Sequence, residues 1–447
     1  MQRIPDTVLD VLRLLTDAGH EAWCVGGCVR DLLLGNMPGD WDVTTSALPE
    51  ETLRLFGKRA IPTGLQHGTV TVVSGDERVE VTTYRTDGSY ADHRHPEQVT
   101  FTRSLTEDLA RRDFTVNAMA MAADGAVFDP MGGRADLEAG VLRCVGEPDR
   151  RFDEDALRIL RGLRFTSVLG FAIEPKTEAA IRKNCGLLRE IAAERVRVEL
   201  EKLLCGKAVG AVLRWYPDVL GVILPEILPA VGFDQRSKYH CYDVWEHTVH
   251  GVENVMADPV LRLVMLLHDL GKPSCFTVDE AGNGHFYGHP FVSRDMAEDI
   301  LKRLRFDNAR KEQILLLVER HDWPVQAADK AVGRALRLLG EKGLRDLLRV
   351  KRADNLAQAT EYRGRQLEID AVEAVLDRLL AEQSCFSLKQ LAVNGRDMMK
   401  LGLRGSEIGI ELERLLTAVI DGELPNEQAV LLKNAKENHG ESAVSGG

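Results

Sequence analysis

The chain has no apolar run near the roughly 18 residues that a membrane-spanning helix requires, and residues 1–20 carry acids inside their apolar stretch, unlike a signal peptide. It has no C-x-x-C pair. Its eight cysteines, Cys24, Cys28, Cys144, Cys185, Cys205, Cys241, Cys275 and Cys385, are scattered, as expected of reduced thiols in a cytoplasmic protein rather than zinc ligands or a disulfide frame. Internal repeats and low-complexity blocks are missing too. Nor is there an excess of positive charge: 57 Lys and Arg stand against 69 Asp and Glu, a net charge of −12. That balance argues mildly against coating nucleic acid by bulk charge. What is present is 447 residues, 44% hydrophobic and 28% charged. This excludes a disordered chain, a collagen-like fibre and a small disulfide scaffold, and suits about three domains.

The charge is unevenly spread. Residues 1–140 carry 13 basic and 22 acidic side chains, and 206–447 carry 31 and 36, but 141–205 carry 13 and 11. Ten of the thirteen cations in that middle stretch are arginine, the residue suited to forked contacts with phosphate and base edges. Solvated helix faces share this composition. From about residue 20 to 130, short β-rich runs alternate with turns, and GTVTVV-SGDE-RVEVTTY reads as a hairpin. Beyond about 150 the apolar residues take helical period, as in DEDALRILRGLRF and DPVLRLVMLLHDL. The expected fold class is α+β: a head of residues 1–140 with a small mixed sheet, then an all-α neck over 141–205, a helical body over 206–360 and a helical region over 361–435. The polar, Gly/Ser-rich residues 436–447 read as a disordered tail.

The first chemical constellation is Val25-Gly26-Gly27-Cys28-Val29-Arg30-Asp31, followed by Asp40-Trp41-Asp42. A strand ending at Val25, a glycine turn and an amphipathic helix would let backbone N–H groups approach a triphosphate. Asp40 and Asp42, two apart on a strand, would project to one face. Two like charges held that close favour a cation, and hard oxygen ligands suit Mg²⁺. Glu80, between Val79 and Val81, could join them as a third carboxylate. Taken alone, an Asp-x-Asp also fits a solvated strand edge, and Glu80 an exposed strand position.

These residues resemble the tRNA nucleotidyltransferase/poly(A) polymerase family. Gly26-Gly27, Arg30-Asp31 and Asp40-x-Asp42, continued by Val43-Thr44-Thr45-Ser46-Ala47, look like its first motif. Arg111-Arg112-Asp113-Phe114-Thr115-Val116-Asn117 is similar to the motif that binds the nucleotide's sugar and triphosphate. Glu154-Asp155-Ala156-Leu157-Arg158 resembles the base-selecting motif, and Glu194-Arg195-Val196 a helix-stabilising one. The resemblance spans about residues 20–430 and implies a nucleotidyltransferase head whose Asp40 and Asp42 are catalytic, with Glu80 the third catalytic carboxylate that the strand pattern offers. Gly26, Gly27, Arg30, Arg111, Arg112, Asp113, Asn117, Asp155, Arg158 and Arg161 would then bind nucleotide. Read physically, Asp155 and Arg158 at i and i+3 share a helix face, and Asp accepts from an exocyclic amino group while Arg donates to a ring nitrogen or carbonyl. Such a pair admits C and A and rejects G and U. An i,i+3 surface ion pair has the same spacing. Arg161 and Arg164 would extend this helix toward phosphate, RNA or solvent. Residues 84–96 resemble the family's loop that the switch to adenosine addition needs, and its presence makes CC-only addition less expected.

A second set lies in the body: His247, the adjacent His268-Asp269 at the end of an apolar helix, and Asp354. Imidazole and carboxylate ligands on helices suit a divalent transition metal that activates water. The pattern resembles the HD phosphohydrolase superfamily, and His289 and His321-Asp322 match positions some members use for a second metal. That likeness implies an unidentified divalent metal and a phosphatase or 2′,3′-cyclic phosphodiesterase activity. Residues 361–430 resemble the family's C-terminal helical region, expected to grip tRNA by shape and phosphate contacts.

The combined expectation is template-independent addition of CCA to the 3′ end of tRNA from CTP and ATP, with Mg²⁺ in the head and tRNA as partner. The alternatives are an A-adding-only enzyme, a poly(A) polymerase, an HD phosphohydrolase whose head only docks RNA, and a non-catalytic tRNA-binding protein.

Overall fold

The computed structural model describes residues 3–88 and 99–442 and divides into two compact units, 1–225 and 226–447. In the first unit the early helices are α1 (Asp6–Asp17), α2 (Gly27–Leu33), α3 (Pro49–Phe56), α4 (Leu105–Ala110) and α5 (Gly133–Ala139). The strands within residues 1–140 are β1 (Ala22–Val25), β2 (Trp41–Thr45), β3 (Ala60–Gly64), β4 (Thr69–Ser74), β5 (Glu77–Thr83), β6 (Arg85–Asp87), β7 (Val99–Phe101), β8 (Ala120–Met121) and β9 (Val127–Phe128). Seven of them form one sheet in the order β3-β4-β5-β2-β1-β8-β9, and β6 pairs with β7 separately.

Alternation decides which face of this sheet is core. Trp41 and Val43 of β2 lie in register with Val79 and Val81 of β5, and all four are buried. Helix α1 packs against β1, β4 and β5 and buries Val8, Val11, Leu12 and Leu15 completely. Each such side chain contributes about 1.5–3 kcal/mol. The polar residues at the intervening positions are thereby turned to the opposite face. The β4–β5 hairpin closes through Gly75-Asp76, between the paired Ser74 and Glu77, as the Ser-Gly-Asp-Glu run indicates.

The first unit continues in helices α6 (Pro148–Glu154), α7 (Leu157–Leu169), α8 (Pro175–Asn184), α9 (Ala193–Leu204), α10 (Val209–Trp215) and α11 (Pro217–Leu220). Helices α7 and α9 pack together through buried Ile159, Leu160, Leu163, Val196, Leu200 and Leu203. The second unit is helical: α12 (Val244–Asn254), α13 (Pro259–Leu267), α14 (His289–Arg303), α15 (Asn308–Arg320), α16 (Asp329–Leu356), α17 (Arg365–Ala381), α18 (Gly395–Lys400), α19 (Ser406–Ile420) and α20 (Gln428–Ser442). Helix α16 is broken at Gly340, whose φ of 68° and ψ of 172° are non-helical.

The α+β head followed by a helical remainder agrees with the sequence. One boundary is corrected: residues expected to begin a disordered tail at 436 are helical as far as Ser442. Leu431 and Ala435 of α20 are fully buried in a core with Met398, Leu415 and Leu416, so this polar segment is anchored by a narrow apolar stripe. No helix among the described residues is long and apolar enough to cross a membrane, and all eight cysteines are free thiols. The loop expected over 84–96 lies outside the described residues from 89 onward.

Candidate functional site

Asp42 on β2 pairs directly with Glu80 on the parallel strand β5. Residues paired in this way project to the same face; Asp40, expected on the same strand, lies instead in the bend just before β2, near enough for its charge to act on Asp42. Burial, together with the charges of Glu80 and Asp40, pushes the Asp42 carboxyl above its ordinary value even though Arg112 opposes the shift. Carboxylates crowded onto one face and short of positive charge are a donor set suited to a hard divalent cation.

Beside them, β1 ends at Val25 and the chain turns into α2 at Gly26, with φ 77° and ψ −135°. A side chain here would be strained, and its Cβ would lie 3.0 Å from Arg112 Nη1 and 3.5 Å from Asp42 Oδ2. Glycine is therefore what lets the Arg112 guanidinium lie over the turn next to Asp42.

The other candidate nucleotide ligands form a connected network. Arg30 Nη1 donates to Asn117 Oδ1 at 2.7 Å, and Asn117 Nδ2 donates to Asp113 Oδ1 at 3.1 Å. Asp113 Oδ2 accepts from Arg161 Nε at 2.9 Å and Nη2 at 2.5 Å. Burial opposes ionisation of Asp113, but Arg161 and the bonds from Asn117 and the Phe114 N–H outweigh it and hold the carboxyl well below the usual range. The guanidinium carbons of Arg30, Arg161 and Arg164 lie 5.3, 5.4 and 4.0 Å from the centroid of the Phe165 ring. Three guanidinium groups thus share one aromatic support on α7. Glu199 of α9 pairs with Arg164 at 3.0 Å and Arg161 at 3.7 Å.

Asp155 and Arg158 depart from expectation. Helix α6 ends at Glu154, and Asp155 is extended, with φ −141° and ψ 99°, so the two are not on one continuous helix. Asp155 Oδ1 instead accepts from the Leu157 N–H that begins α7, and Oδ2 pairs with Arg195 of α9 at 3.3 Å. The Arg158 guanidinium is buried, donating to Glu154 at 3.2 Å and to the carbonyls of Arg151 and Arg111 at 3.0 and 3.1 Å. Among the described residues the two make no ion pair with one another. Arg111, expected to bind nucleotide, directs its guanidinium onto Asp108.

Several of these partners escaped the sequence reading. Asp108 carried a signal, since it precedes Arg111 and Arg112 at i−3 and i−4 on a helix. Phe165 and Glu199 carried none, being one aromatic and one acid on helices with many similar residues.

In the second unit, His247, His268, Asp269 and Asp354 place one ligand atom each within 4.8 Å of one another, and Asp269, His289 and His321 do the same. Capping and turns fix the rings. Asp258 caps α13 through the Val260 and Leu261 N–H groups, and His268 ends that helix with Nδ1 at 2.7 Å from the Met265 carbonyl. His321 ends α15 likewise, on Val318 O at 2.7 Å. His289 Nδ1 meets Phe286 O at 2.9 Å, and His247 Nδ1 meets Ala357 O at 3.2 Å. A carbonyl can only accept, so each Nδ1 carries a proton and each Nε2 is the ring nitrogen turned to the centre, where His247 Nε2 lies 2.9 Å from Asp354 Oδ1. His289 Nε2 and His321 Nε2 face one another at 3.3 Å. Asp269 Oδ1 and His268 Nε2 are buried without a hydrogen-bond partner. Ring nitrogens and carboxylate oxygens converging in this way fit one or two divalent ions, which would displace any proton on Nε2. Lys272 Nζ, 2.6 Å from Asp269, and Gln235, bonded to Lys272 at 3.0 Å, complete the wall.

Comparison with known proteins identifies relatives along most of the chain. The poly A polymerase head domain model matches residues 22–143, the model of an RNA and SrmB-binding site of polymerase A matches 170–229, and a tRNA nucleotidyltransferase domain 2 model matches 291–435. The CCA-adding enzyme of Lactiplantibacillus plantarum is 54% identical over 430 residues, 95% of this chain and 94% of that protein. The CCA-adding enzyme of Bacillus subtilis is 34% identical over 96% of this chain and 97% of its own length. Among solved structures, the Bacillus stearothermophilus CCA-adding enzyme in complex with CTP superposes with a TM-score of 0.74 at 30% identity, covering 98% of each chain. The Thermotoga maritima CCA-adding enzyme complexed with tRNA shares the fold at a TM-score of 0.61 and 21% identity, over 98% of this chain and 97% of that one. The chain belongs to the tRNA nucleotidyltransferase/poly(A) polymerase family, among its CCA-adding enzymes.

Proposed function

We propose that this protein completes the 3′ end of tRNA by adding C, C and A from CTP and ATP, using the Asp40–Asp42–Glu80 face as its catalytic centre. The observation that carries this reading is the parallel register of Asp42 with Glu80 beside a glycine turn that admits Arg112. Asp40 and Asp42 would hold Mg²⁺, which when bound neutralises charge on the reacting phosphate and lowers the pKa of the attacking hydroxyl. The tRNA 3′-hydroxyl attacks the α-phosphorus of the nucleotide, the new phosphodiester forms, and pyrophosphate leaves.

The chain's own residues prepare that step. Arg112, beside Asp42, meets the triphosphate. Arg30 and Arg161 are held by Asn117 and Asp113 in fixed positions against Phe165, so little ordering remains when the nucleotide arrives. Asp155 and Arg158 select the base. In the structure Arg158 is turned onto Glu154 and Asp155 is tied to Arg195, so base reading requires Arg158 to exchange Glu154 for the nucleotide while Arg195 keeps Asp155 in place. In this reading residues 1–140 are the catalytic head, 141–205 the base-selecting neck and 361–435 the tRNA-gripping region. Arg195→Ala should lower kcat/KM for CTP and ATP by about tenfold, the loss of one charge-assisted bond. It should also raise incorporation of UTP and GTP, scored by single-nucleotide extension.

The test of the whole reading uses tRNA transcripts ending at the discriminator base, at C and at CC, with labelled CTP or ATP and product sizing. Stepwise growth to CCA on all three is expected. ATP addition to the CC transcript alone would assign A-only activity, and a long tail would assign poly(A) synthesis.

A second reading concerns residues 206–360 as an HD-type metal-dependent phosphohydrolase. It is favoured by the four imidazoles whose Nδ1 atoms are all engaged by carbonyls around Asp269 and Asp354. Bound metal there would activate water for phosphoester hydrolysis. His247, His268, Asp269 and Asp354 would hold one ion, and Asp269, through its other oxygen, would share a second with His289 and His321.

A further inference from the structure

Asp108 lies in α4 with no solvent exposure, and a buried carboxylate needs partners for both oxygens. Its Oδ1 accepts from Arg111 Nε at 3.0 Å and Nη2 at 2.8 Å, and from the Arg85 backbone N–H at 3.3 Å. Its Oδ2 is 3.1 Å from the Thr44 hydroxyl and 3.6 Å from Arg112 Nη2. Burial disfavours its charge, but Arg111 and Arg112 outweigh that and keep it ionised.

These partners come from three places. Thr44 is two residues after Asp42 on β2, hence on the same face as the catalytic carboxylates. Arg85 opens β6. Arg111 and Arg112 follow α4 directly. The guanidinium of Arg112 has Nη1 above the Gly26 turn near Asp42 and Nη2 toward Asp108, so Asp108 and Asp42 flank it on two sides. An arginine held by Asp42 alone would neutralise that carboxylate and compete with a cation for it. Arg111 directs Nε and Nη2 onto the single oxygen Oδ1 of Asp108 and supplies the counter-charge on that side of the carboxylate.

We propose that Asp108 is a positioning residue for nucleotide binding: it draws the Arg112 guanidinium away from full pairing with Asp42 and aims it where the triphosphate lies, so that Asp42 remains available to metal. The inference rests on reading Arg112 as a triphosphate contact. It makes Asp108 matter for phosphates and not for the base or sugar, which a merely structural residue would not do.

The experiment measures equilibrium binding of CTP and CMP, with Mg²⁺ and without tRNA, to the full-length protein and to the Asp108→Asn and Arg112→Ala variants. Asparagine keeps the size and one acceptor while removing the charge. Asp108→Asn is expected to weaken CTP by about tenfold and leave CMP within about twofold, and Arg112→Ala to show the same selective loss. Thr44→Val, which removes one partner of Asp108 without touching charge, should give a smaller loss of the same selectivity. If Arg112→Ala impairs CTP but Asp108→Asn does not, or impairs CTP and CMP equally, the positioning role is overturned and the Arg112 reading stands. If Arg112→Ala leaves CTP binding unchanged, both fall. Should Asp108→Asn fail to fold, the Thr44→Val result decides: equal or absent loss overturns the role.

Discussion

Asp42→Ala is expected to reduce incorporation of both CTP and ATP by roughly a thousandfold or more, because several kcal/mol of transition-state charge stabilisation are lost and each 1.36 kcal/mol is about tenfold in rate. The geometry explains why this position dominates. Asp42 stands at the centre of the polar face, in register with Glu80, two residues from Asp40 and next to Arg112. Its carboxyl is pushed up by burial and by its acidic neighbours, so alanine relieves repulsion and should not unfold the head. The apolar residues on either side, Trp41 and Val43, keep their burial. Single-turnover extension of a tRNA transcript, paired with a thermal melt, checks both statements. A variant that melts normally yet extends at more than a few per cent of the native rate would remove Asp42 from the catalytic role. Any hydrolytic activity and metal content of the second unit should be unaffected.

Asp269→Ala is the converse change. Asp269 contributes to both candidate metal groups and is 1% exposed, with His247 at 3.3 Å, His268 at 3.2 Å and His289 at 3.2 Å from its oxygens. Removing it takes away the one ligand common to the two groups and leaves Lys272 without its 2.6 Å partner. Retention of added Mn²⁺ or Ni²⁺ after gel filtration should fall from one or two ions per chain to a small fraction, measured by elemental analysis. Loss of a ligand typically costs far more than the 10–100-fold that loss of an outer partner does. CCA addition should persist, since the residues proposed for that chemistry lie in the first unit. Unchanged metal content would contradict the assignment of this centre, and simultaneous loss of nucleotide addition would contradict two independent sites.

How much of this was legible in the sequence follows the range of the interactions. The facing of Asp42 and Glu80 was readable because strand alternation sets each opposite its apolar neighbours, and the two lie in register, whereas Asp40 falls in the bend before β2. The histidine cluster was readable because each His sits at a helix terminus or an apolar run with its own local signal. Asp155 and Arg158 were misplaced because the break between α6 and α7 depends on a partner elsewhere. Arg195, forty residues on, holds the carboxylate, while Asp155 caps the start of α7. Spacing alone cannot reveal such a break. Similarly, α20 is helical to Ser442 because Leu431 and Ala435 dock in a core built from 391–416, a tertiary effect that overrides a polar composition. The net charge of −12 was the least useful guide. Many of the arginines that matter stand in one segment, 111–164, and are organised locally by Asp108, Asp113 and Glu199.

Whether the Asp40–Asp42 pair holds the catalytic metal is read from the anomalous difference density of Mn²⁺ in crystals of the full chain soaked with CTP. The expected result is a peak bonded to carboxylate oxygens of both Asp40 and Asp42 and to the nucleotide phosphates, with Arg112 on the triphosphate. A nucleotide bound with its phosphates away from this pair, or Mn²⁺ in the head ligated elsewhere, would contradict it.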